Sequence, residues 1–393
     1  MLEPRHGQNR VHALIPRAAA AGLMAHLRLA APALMAYLAA RLLGLLVLWA
    51  MAYHFDEHTL ELLGKWDGVW FIGIVQDGYD TRLEHDPSGR LIPTNIVFFP
   101  AYPFLVRAVA STIGLGVLHA GILAAWAAGL AAAWGIFAVG YHVHGRTVGT
   151  LLAFLWAVQP HAIVESMFYL EGLFTALAAW CLYAVLRRQW LTAGVLCALA
   201  GATRASAIVL VVIVIATAAI EVLRRRNGWR PWAGALISPI GLVGYYSWVA
   251  HVLGRADGWF YMQGRGWDSR FDGGHDTLET FVEIVETRGP GLERYEVSAV
   301  MLAAIVLLVS LVFLRTPRPL LAYAGGLLVL TLGAGGFYHS KSRFLLPAFP
   351  LLLPFAIAFA RMPRNMLALV LPSWALASAV YGGYLLLIWP WSV

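Results

Sequence analysis

The sequence predicts an all-α, polytopic integral membrane protein. Two observations carry that prediction, an extreme apolar composition and the spacing of the apolar runs. Hydrophobic residues make up 60% of the 393-residue chain and charged residues 12%, against about 45–50% and about 25% in ordinary soluble domains. A soluble fold of this length has no interior large enough for so much apolar surface. A spanning helix needs roughly 20 apolar residues. About eleven candidate runs are present, at about 30–53, 116–140, 147–160, 163–186, 190–202, 204–223, 233–253, 297–314, 319–337, 343–360 and 366–389. The ten-residue alternating strands of a spanning barrel are absent. The runs at 147–160 and 190–202 are short and read as broken, tilted or half-spanning helices buried against their neighbours.

Charge sets the topology. The chain carries a net charge of +7, but fifteen of its 28 basic residues fall in termini and loops assigned to one face, among them Arg5, Arg10, Arg17, Arg28, Arg146, Arg187, Arg188, Arg224, Arg225 and Arg226. Only Glu3 and Glu221 oppose them there. This is the positive-inside bias of a cytoplasmic face, not a nucleic-acid surface. Residues 1–29 then form a cytoplasmic N-terminal tail, kept because no small-residue cleavage site precedes the first long run. Residues 30–393 form one transmembrane domain. Two long loops, about 54–115 and 255–296, fall on the opposite, extracytoplasmic face of the cell membrane. The second carries nine acids against five Arg, a composition suited to chemistry outside the cytoplasm. Within the first, residues 98–113 carry an apolar stripe of Phe98, Phe99, Tyr102, Leu105, Val106 and Val109 opposite Arg107 and Ser111. That pattern predicts a helix lying in the interface. Cys181 and Cys197 sit inside apolar runs and build neither a disulfide framework nor a zinc site.

The segment from Gly64 to Asp80 is the most informative. Leu60, Leu63, Trp70 and Ile74 recur at helical spacing, and Asp67 falls in their stripe. Two readings of Asp67 follow, and they are compatible. It caps a helix starting at Gly68, or it is a general base, since desolvation raises a carboxylate toward neutrality. His161, Glu165, Tyr169 and Glu171 form a polar cluster near the same face, and acids inside a span default to function. Thr203-Arg204 is wedged between two apolar runs, and His339, Lys341 and Arg343 open a Pro-rich span. Arg204, Lys341, Arg343 and His339 suit one task, holding a phosphate; for Arg343 the competing reading is snorkelling to headgroups. Arg41, midway through the first span, is expected to pair with a buried carbonyl or acid. Trp66, Tyr169, Glu171, Trp267 and Asp268 are the candidate substrate-binding residues.

His54 and His58 stand four apart and invite a metal, but no third ligand appears at fixed spacing, so no metal is expected. P-loop, Rossmann and nucleophile-elbow signatures are absent, which argues against a nucleotide cofactor or nucleotide-sugar donor. A lipid-linked phosphosugar is a donor that a membrane protein can reach. The principal alternative is a secondary transporter of a small polar or anionic substrate, because broken spans with polar ends are also a transporter signature. Against it, the polar residues gather at one face and not at the midplane, and no paired half-repeats are visible.

At these residues the chain resembles the PIG-V family of mannosyltransferases, relatives of GPI mannosyltransferase 2 within the GT-C superfamily, in its bacterial branch. The resemblance spans roughly 35–365 and rests on the order and spacing of WDGVWFIGIVQDGY (66–79), NIVFFPAYPFLVR (95–107), QPHAIVESMFYLEGLF (159–174), Thr203-Arg204 and SRFLLPAFPLLLP (342–354). It implies a GT-C bundle, a polyprenyl-phosphate-mannose donor, inverting transfer to a membrane lipid or glycan acceptor, and Asp67 as the catalytic base. Another lipid-phosphate-linked sugar would suit the same fold. The chain departs from the family pattern at Leu170 and Gly172, which flank Glu171 in place of a hydroxyl residue and a serine.

Overall fold

The computed structural model describes residues 8–286 and 291–392. In chain order the helices are α1 Gln8–His54, α2 Thr59–Leu62, α3 Asp67–Asp77, α4 Ala101–Ile113, α5 Val117–His144 and α6 Arg146–Ala157. There follow α7 Glu171–Leu186, α8 Trp190–Gly201, α9 Ile208–Leu223, α10 Arg230–Ile237, α11 Ile240–Leu253 and α12 Gly258–Arg265. The last six are α13 His275–Glu286, α14 Leu292–Phe313, α15 Arg318–Gly333, α16 Lys341–Phe344, α17 Leu353–Phe359 and α18 Arg364–Leu387. Two short strands, β1 Arg270–Phe271 and β2 Ala334–Gly335, pair antiparallel with Arg270 opposite Gly335 and Phe271 opposite Ala334. The expected N-terminal tail and second long loop fall partly on residues 1–7 and 287–290, outside the described residues. From Gln8 the backbone is already helical and continuous with the first span.

The all-α membrane bundle is the fold observed. Among the described residues, six helices are long and apolar enough to cross a bilayer: Met24–His54, Val117–His144, Ala205–Leu223, Arg230–Leu253, Leu292–Phe313 and Arg364–Leu387. A seventh candidate is a pair of segments, Tyr338–Phe344 and Phe349–Phe359, bent by 77°. Pro347 and Pro350 lie at the bend, and a proline supplies no N–H to continue a helix. The remaining apolar runs form the shorter helices α6, α7, α8 and α15, of 12, 16, 12 and 16 residues. At about 1.5 Å per residue, 16 residues cover about 24 Å, less than the roughly 30 Å hydrocarbon core.

The run at 163–186 is not one helix. Ala162–Ser166 makes a 3-10 turn, Met167 is extended, and α7 begins only at Glu171. Irregular backbone at this depth needs partners for its carbonyls, because hydrocarbon provides none. Arg41 of α1 supplies them. Its guanidinium donates to the carbonyls of Ala157, which ends α6, and Ala162, which starts the turn, and lies 4.0 Å from Glu165. Ser378 of α18 donates to the Gln159 carbonyl at 2.9 Å. The expectation of a buried partner for Arg41 therefore holds, with both carbonyls and an acid.

Gly172, a departure from the family pattern, has a packing cause. A Cβ there would lie 3.1 Å from the Gly129 nitrogen and 3.2 Å from the Ala125 carbonyl of α5. Close backbone approach through small residues is how membrane helices gain contact without a hydrophobic driving force. It seats the start of α7 directly on α5. In the expected interfacial helix, now α4, Tyr102, Pro103 and Val106 are buried. Arg107 is not simply turned outward, since it donates to the Val75 carbonyl at 2.9 Å. His54 ends α1 and His58 lies beyond the following turn, so the two imidazoles do not share a helical face.

Arg41→Met should destabilise the fold by about 3–5 kcal/mol, since it strands Glu165 and two buried carbonyls. Arg41→Lys should recover only part of the loss, because an ammonium lacks the guanidinium's wide fork. Thermal unfolding in detergent reads both; a wild-type midpoint for Arg41→Met would remove this role.

Candidate functional site

Four segments far apart in sequence bring two acids and two bases together. Asp67 is the first residue of α3 and Glu171 the first of α7. Arg204 lies just after α8, and Arg343 is in the single turn of α16. Arg343 Nη1 donates to Asp67 Oδ2 at 2.6 Å, and its Nε lies 3.8 Å from Glu171 Oε1. Arg204 Nη1 lies 3.9 Å from the same Glu171 oxygen. The result is a row of alternating charge, Asp67–Arg343–Glu171–Arg204. Both carboxylates open helices, where unpaired backbone N–H groups favour negative charge.

The row is buried in its middle and more exposed at its two ends. Side-chain accessibility is 4% for Glu171, 7% for Arg343, 17% for Arg204 and 25% for Asp67. Asp67 is thus its most exposed member. Its Oδ1 accepts no hydrogen bond from the described residues, while Oδ2 is held by Arg343. Arg343 also stands over the rings of Tyr169 and Phe344, each at 5.2 Å, and Arg204 over Phe174 at 5.4 Å and Phe344 at 5.6 Å. Such faces attract cations and fix guanidinium planes where water is scarce.

Local folding explains why Asp67 points inward. Trp66 precedes it with φ +61°, a left-handed conformation that costs a non-glycine residue of order 1–3 kcal/mol. The surroundings hold that bend: the Asp67 N–H donates to Tyr169 Oη at 3.2 Å, and the Phe168 N–H donates to the Leu63 carbonyl at 2.8 Å. The capping reading of Asp67 is not what the geometry shows. Trp66 occupies the cap position with no side-chain hydrogen bond, and the Asp67 carboxylate goes to Arg343 instead.

An aromatic wall adjoins α3. Trp70, one turn beyond Asp67, meets Trp267 with ring centroids 4.9 Å apart, and Trp267 meets Phe98 at 5.4 Å. Trp267 also donates to the Thr94 carbonyl at 3.1 Å. Asp268 next to it adopts φ +51°, and its carbonyl lies against Gly336, where a Cβ would come within 2.6 Å.

Lys341 and His339 do not join the row. The Lys341 ammonium is buried and donates to Thr277 Oγ1 and, at 2.6 Å, to the Ala334 carbonyl. His339 Nε2 is 3.0 Å from Ser392 Oγ. The cause is helical geometry: residues two apart on a helix point to nearly opposite sides, so Lys341 faces away when Arg343 faces Asp67. Lys341 instead fastens the second long loop, together with the β1–β2 pair. Asp272 there accepts the N–H groups of Gly274 at 2.8 Å and Asp276 at 3.1 Å, and Asp276 accepts that of Gly336 at 3.2 Å.

A residue outside the expected set is Glu296, which the sequence reading counted only as a loop acid. It lies on α14, and three side chains converge on its Oε2: Ser342 Oγ and Tyr381 Oη donate, each at 3.2 Å, and His161 Nδ1 lies at 3.6 Å. Among the described residues no group of three or more His, Cys, Asp or Glu is arranged to hold a metal ion.

With this geometry in view, the crystal structure of ArnT from Cupriavidus metallidurans, bound to undecaprenyl phosphate, is a structural neighbour. It has a TM-score of 0.51 and 13% identity over 81% of this chain and 70% of ArnT. The fold is of the GT-C type. The oligosaccharyltransferase of Archaeoglobus fulgidus, solved in complex with Zn and sulfate, also matches, with a TM-score of 0.39 and 14% identity. That match covers 80% of this chain and 48% of the oligosaccharyltransferase. No family model matches the chain, and no curated protein is similar to it in sequence.

The loop fastening is acid-sensitive. The N–H of Asp276 foremost, then those of Gly274 and His275 and the nearby Lys341 charge, hold the Asp272 carboxyl below its ordinary range. A depressed folded pKa stabilises fully above the unfolded value of about 3.9 and is lost as pH falls through the folded value. Protection from hydrogen exchange across residues 268–276, relative to the unstructured rate at each pH, should therefore hold above about pH 4 and fall below it. Asp272→Asn should abolish that pH step; an unchanged step in the variant would assign it elsewhere.

Proposed function

We propose that this protein is a membrane glycosyltransferase that moves a sugar from a polyprenyl-phosphate carrier to a lipid or glycan acceptor at the extracytoplasmic face. The observation that carries this reading is the row Asp67–Arg343–Glu171–Arg204, with an accessible carboxylate at one end and two guanidiniums behind it. The GT-C fold supports the class of reaction, and a neighbour solved with undecaprenyl phosphate supports the class of carrier. Mannose rests on the PIG-V-like motifs at 66–79, 95–107, 159–174 and 342–354. The one-sided distribution of Arg supports a cytoplasmic N-terminus and an active site on the other face.

In this mechanism Asp67 Oδ1 takes the proton of an acceptor hydroxyl as the acceptor oxygen bonds to the anomeric carbon. The bond from that carbon to the phosphate oxygen breaks, and its electron pair leaves with the lipid phosphate. Inversion turns a β-linked donor into an α-linked product. Arg343 and Arg204 stabilise the leaving phosphate, a contribution that is largest where water is excluded. Arg343 has a second effect. It holds Asp67 Oδ2 at 2.6 Å, and an arriving phosphate competes for the same guanidinium. Donor binding thereby frees the base when it is needed. Tyr169, Glu171 and Trp66 hold these groups in place, while Trp70 and Trp267 offer faces for a sugar ring. Lys341 and His339 act from outside the row, through the second long loop and the C-terminal segment. The reaction as written needs no nucleotide and no metal.

The deciding experiment incubates purified protein in lipid nanodiscs with radiolabelled polyprenyl-phosphate-mannose and membrane extract. A labelled product is expected; absence of product with mannosyl, glucosyl and arabinosyl carriers alike would sink the proposal. Asp67→Asn should lower turnover by about 10²–10⁴-fold with little change in thermal midpoint, since Asn keeps the volume and can still accept from Arg343. Arg204→Lys should weaken use of the lipid-phosphate donor while sparing acceptor KM, and unchanged donor kinetics would confine Arg204 to holding Glu171.

A further inference from the structure

We propose that Glu296 is a positioning residue for Arg343. Arg343 sits on a single helical turn, the four-residue α16, which has no length of its own to fix a direction. Something outside the turn must hold it. Ser342, buried and adjacent in sequence, donates to Glu296 Oε2 at 3.2 Å. The same oxygen receives Tyr381 Oη of α18 at 3.2 Å, and His161 Nδ1 of the irregular segment after α6 lies 3.6 Å away. One carboxylate on α14 thus ties α16 to α18, close beside the segment that leads into Tyr169 and Glu171. These are the pieces that Arg343 must meet in register: its Nη1 on Asp67 at 2.6 Å and its Nε 3.8 Å from Glu171.

The three contacts converge on Oε2, while Oε1 is buried without a hydrogen-bond partner among the described residues. A carboxylate hydrogen-bonded through one oxygen from two separate elements, with a third 3.6 Å away, is placed for geometry. Burying it has a desolvation cost that a leucine would avoid, so stability alone does not account for it. The proposal rests on the glycosyltransferase reading for its kinetic consequence, but not for its structural one.

The test uses Glu296→Leu and, should that variant fail to fold, Ser342→Ala, which removes only the link from α16. Two readouts are taken on full-length protein in nanodiscs. The first is kinetic: turnover should fall about tenfold, roughly 1.4 kcal/mol of transition-state stabilisation, with acceptor KM unchanged. The loss should not add to that of Arg343→Lys, because both variants spoil the same guanidinium. The second needs no activity. A double-mutant cycle of Asp67→Ala and Arg343→Ala, read by thermal midpoint, should show coupling in the wild-type background and none beside Glu296→Leu or Ser342→Ala. Intact coupling, or kinetic losses that simply add, would overturn the positioning role. If wild-type protein transfers no sugar, the functional reading fails and the cycle still decides the role of Glu296.

Discussion

Arg41 occupies a place where hydrocarbon offers no hydrogen bonds, and it gives its guanidinium to backbone carbonyls at the end of α6 and the turn after it. It makes no hydrogen bond or ion pair with the row Asp67–Arg343–Glu171–Arg204, yet it holds the segment from which Glu171 emerges. Pro160 breaks the chain just after α6, and those two bonds satisfy carbonyls that the irregular segment would otherwise leave open. With them, the chain crosses in irregular form and presents Tyr169 to the start of α3. Glu171 then becomes a helix N-terminus instead of a mid-helix acid. Phe168 closes the arrangement through its N–H to Leu63.

The row of charge beyond that segment has a particular energetic character. Two acids and two bases give no net charge, so no single side chain carries an uncompensated burial cost. Buried ion pairs nevertheless return little stability, because desolvation offsets most of their attraction. Four such residues meeting from four segments are therefore poorly explained as structural cement. The aromatic faces of Tyr169, Phe174 and Phe344 complete the setting by taking up guanidinium surface that water would otherwise cover.

Much of this was legible from the sequence, for identifiable reasons. Apolar runs report the bundle directly, because a span must be apolar along its length. Asp67, Glu171, Arg204 and Arg343 stood out individually, since charge flanked by apolar sequence is costly wherever it lies. Their pairing was not legible, being a matter of tertiary contact. Lys341 was grouped with Arg343 on proximity in sequence, and the helical turn of α16 separates them. Glu296 reads as a loop acid because the apolar run after it begins at about 297, whereas α14 begins at Leu292. The broken form of the 163–186 run was hidden for a similar reason: composition marks a segment as buried, but its hydrogen-bond partners lie 116 and 121 residues away. The sugar leaves no mark that elementary chemistry can read.

The shortness of α8 has a consequence for the bilayer itself. Arg204 marks the tip of a hairpin that α8 climbs and α9 descends, with Arg187 and Arg188 at the foot of one limb and Arg224 to Arg226 at the foot of the other. Twelve residues lift the chain about 18 Å, some 12 Å less than the thickness of the hydrocarbon core. Val195 and Leu199 of α8 face outward, so lipid meets a hydrophobic wall too low for it. Such mismatch is relieved by local thinning of the membrane. The other limb, Ala205–Leu223, is long enough to cross, so the two sides of the hairpin differ in height and the shorter one sets where such thinning would fall.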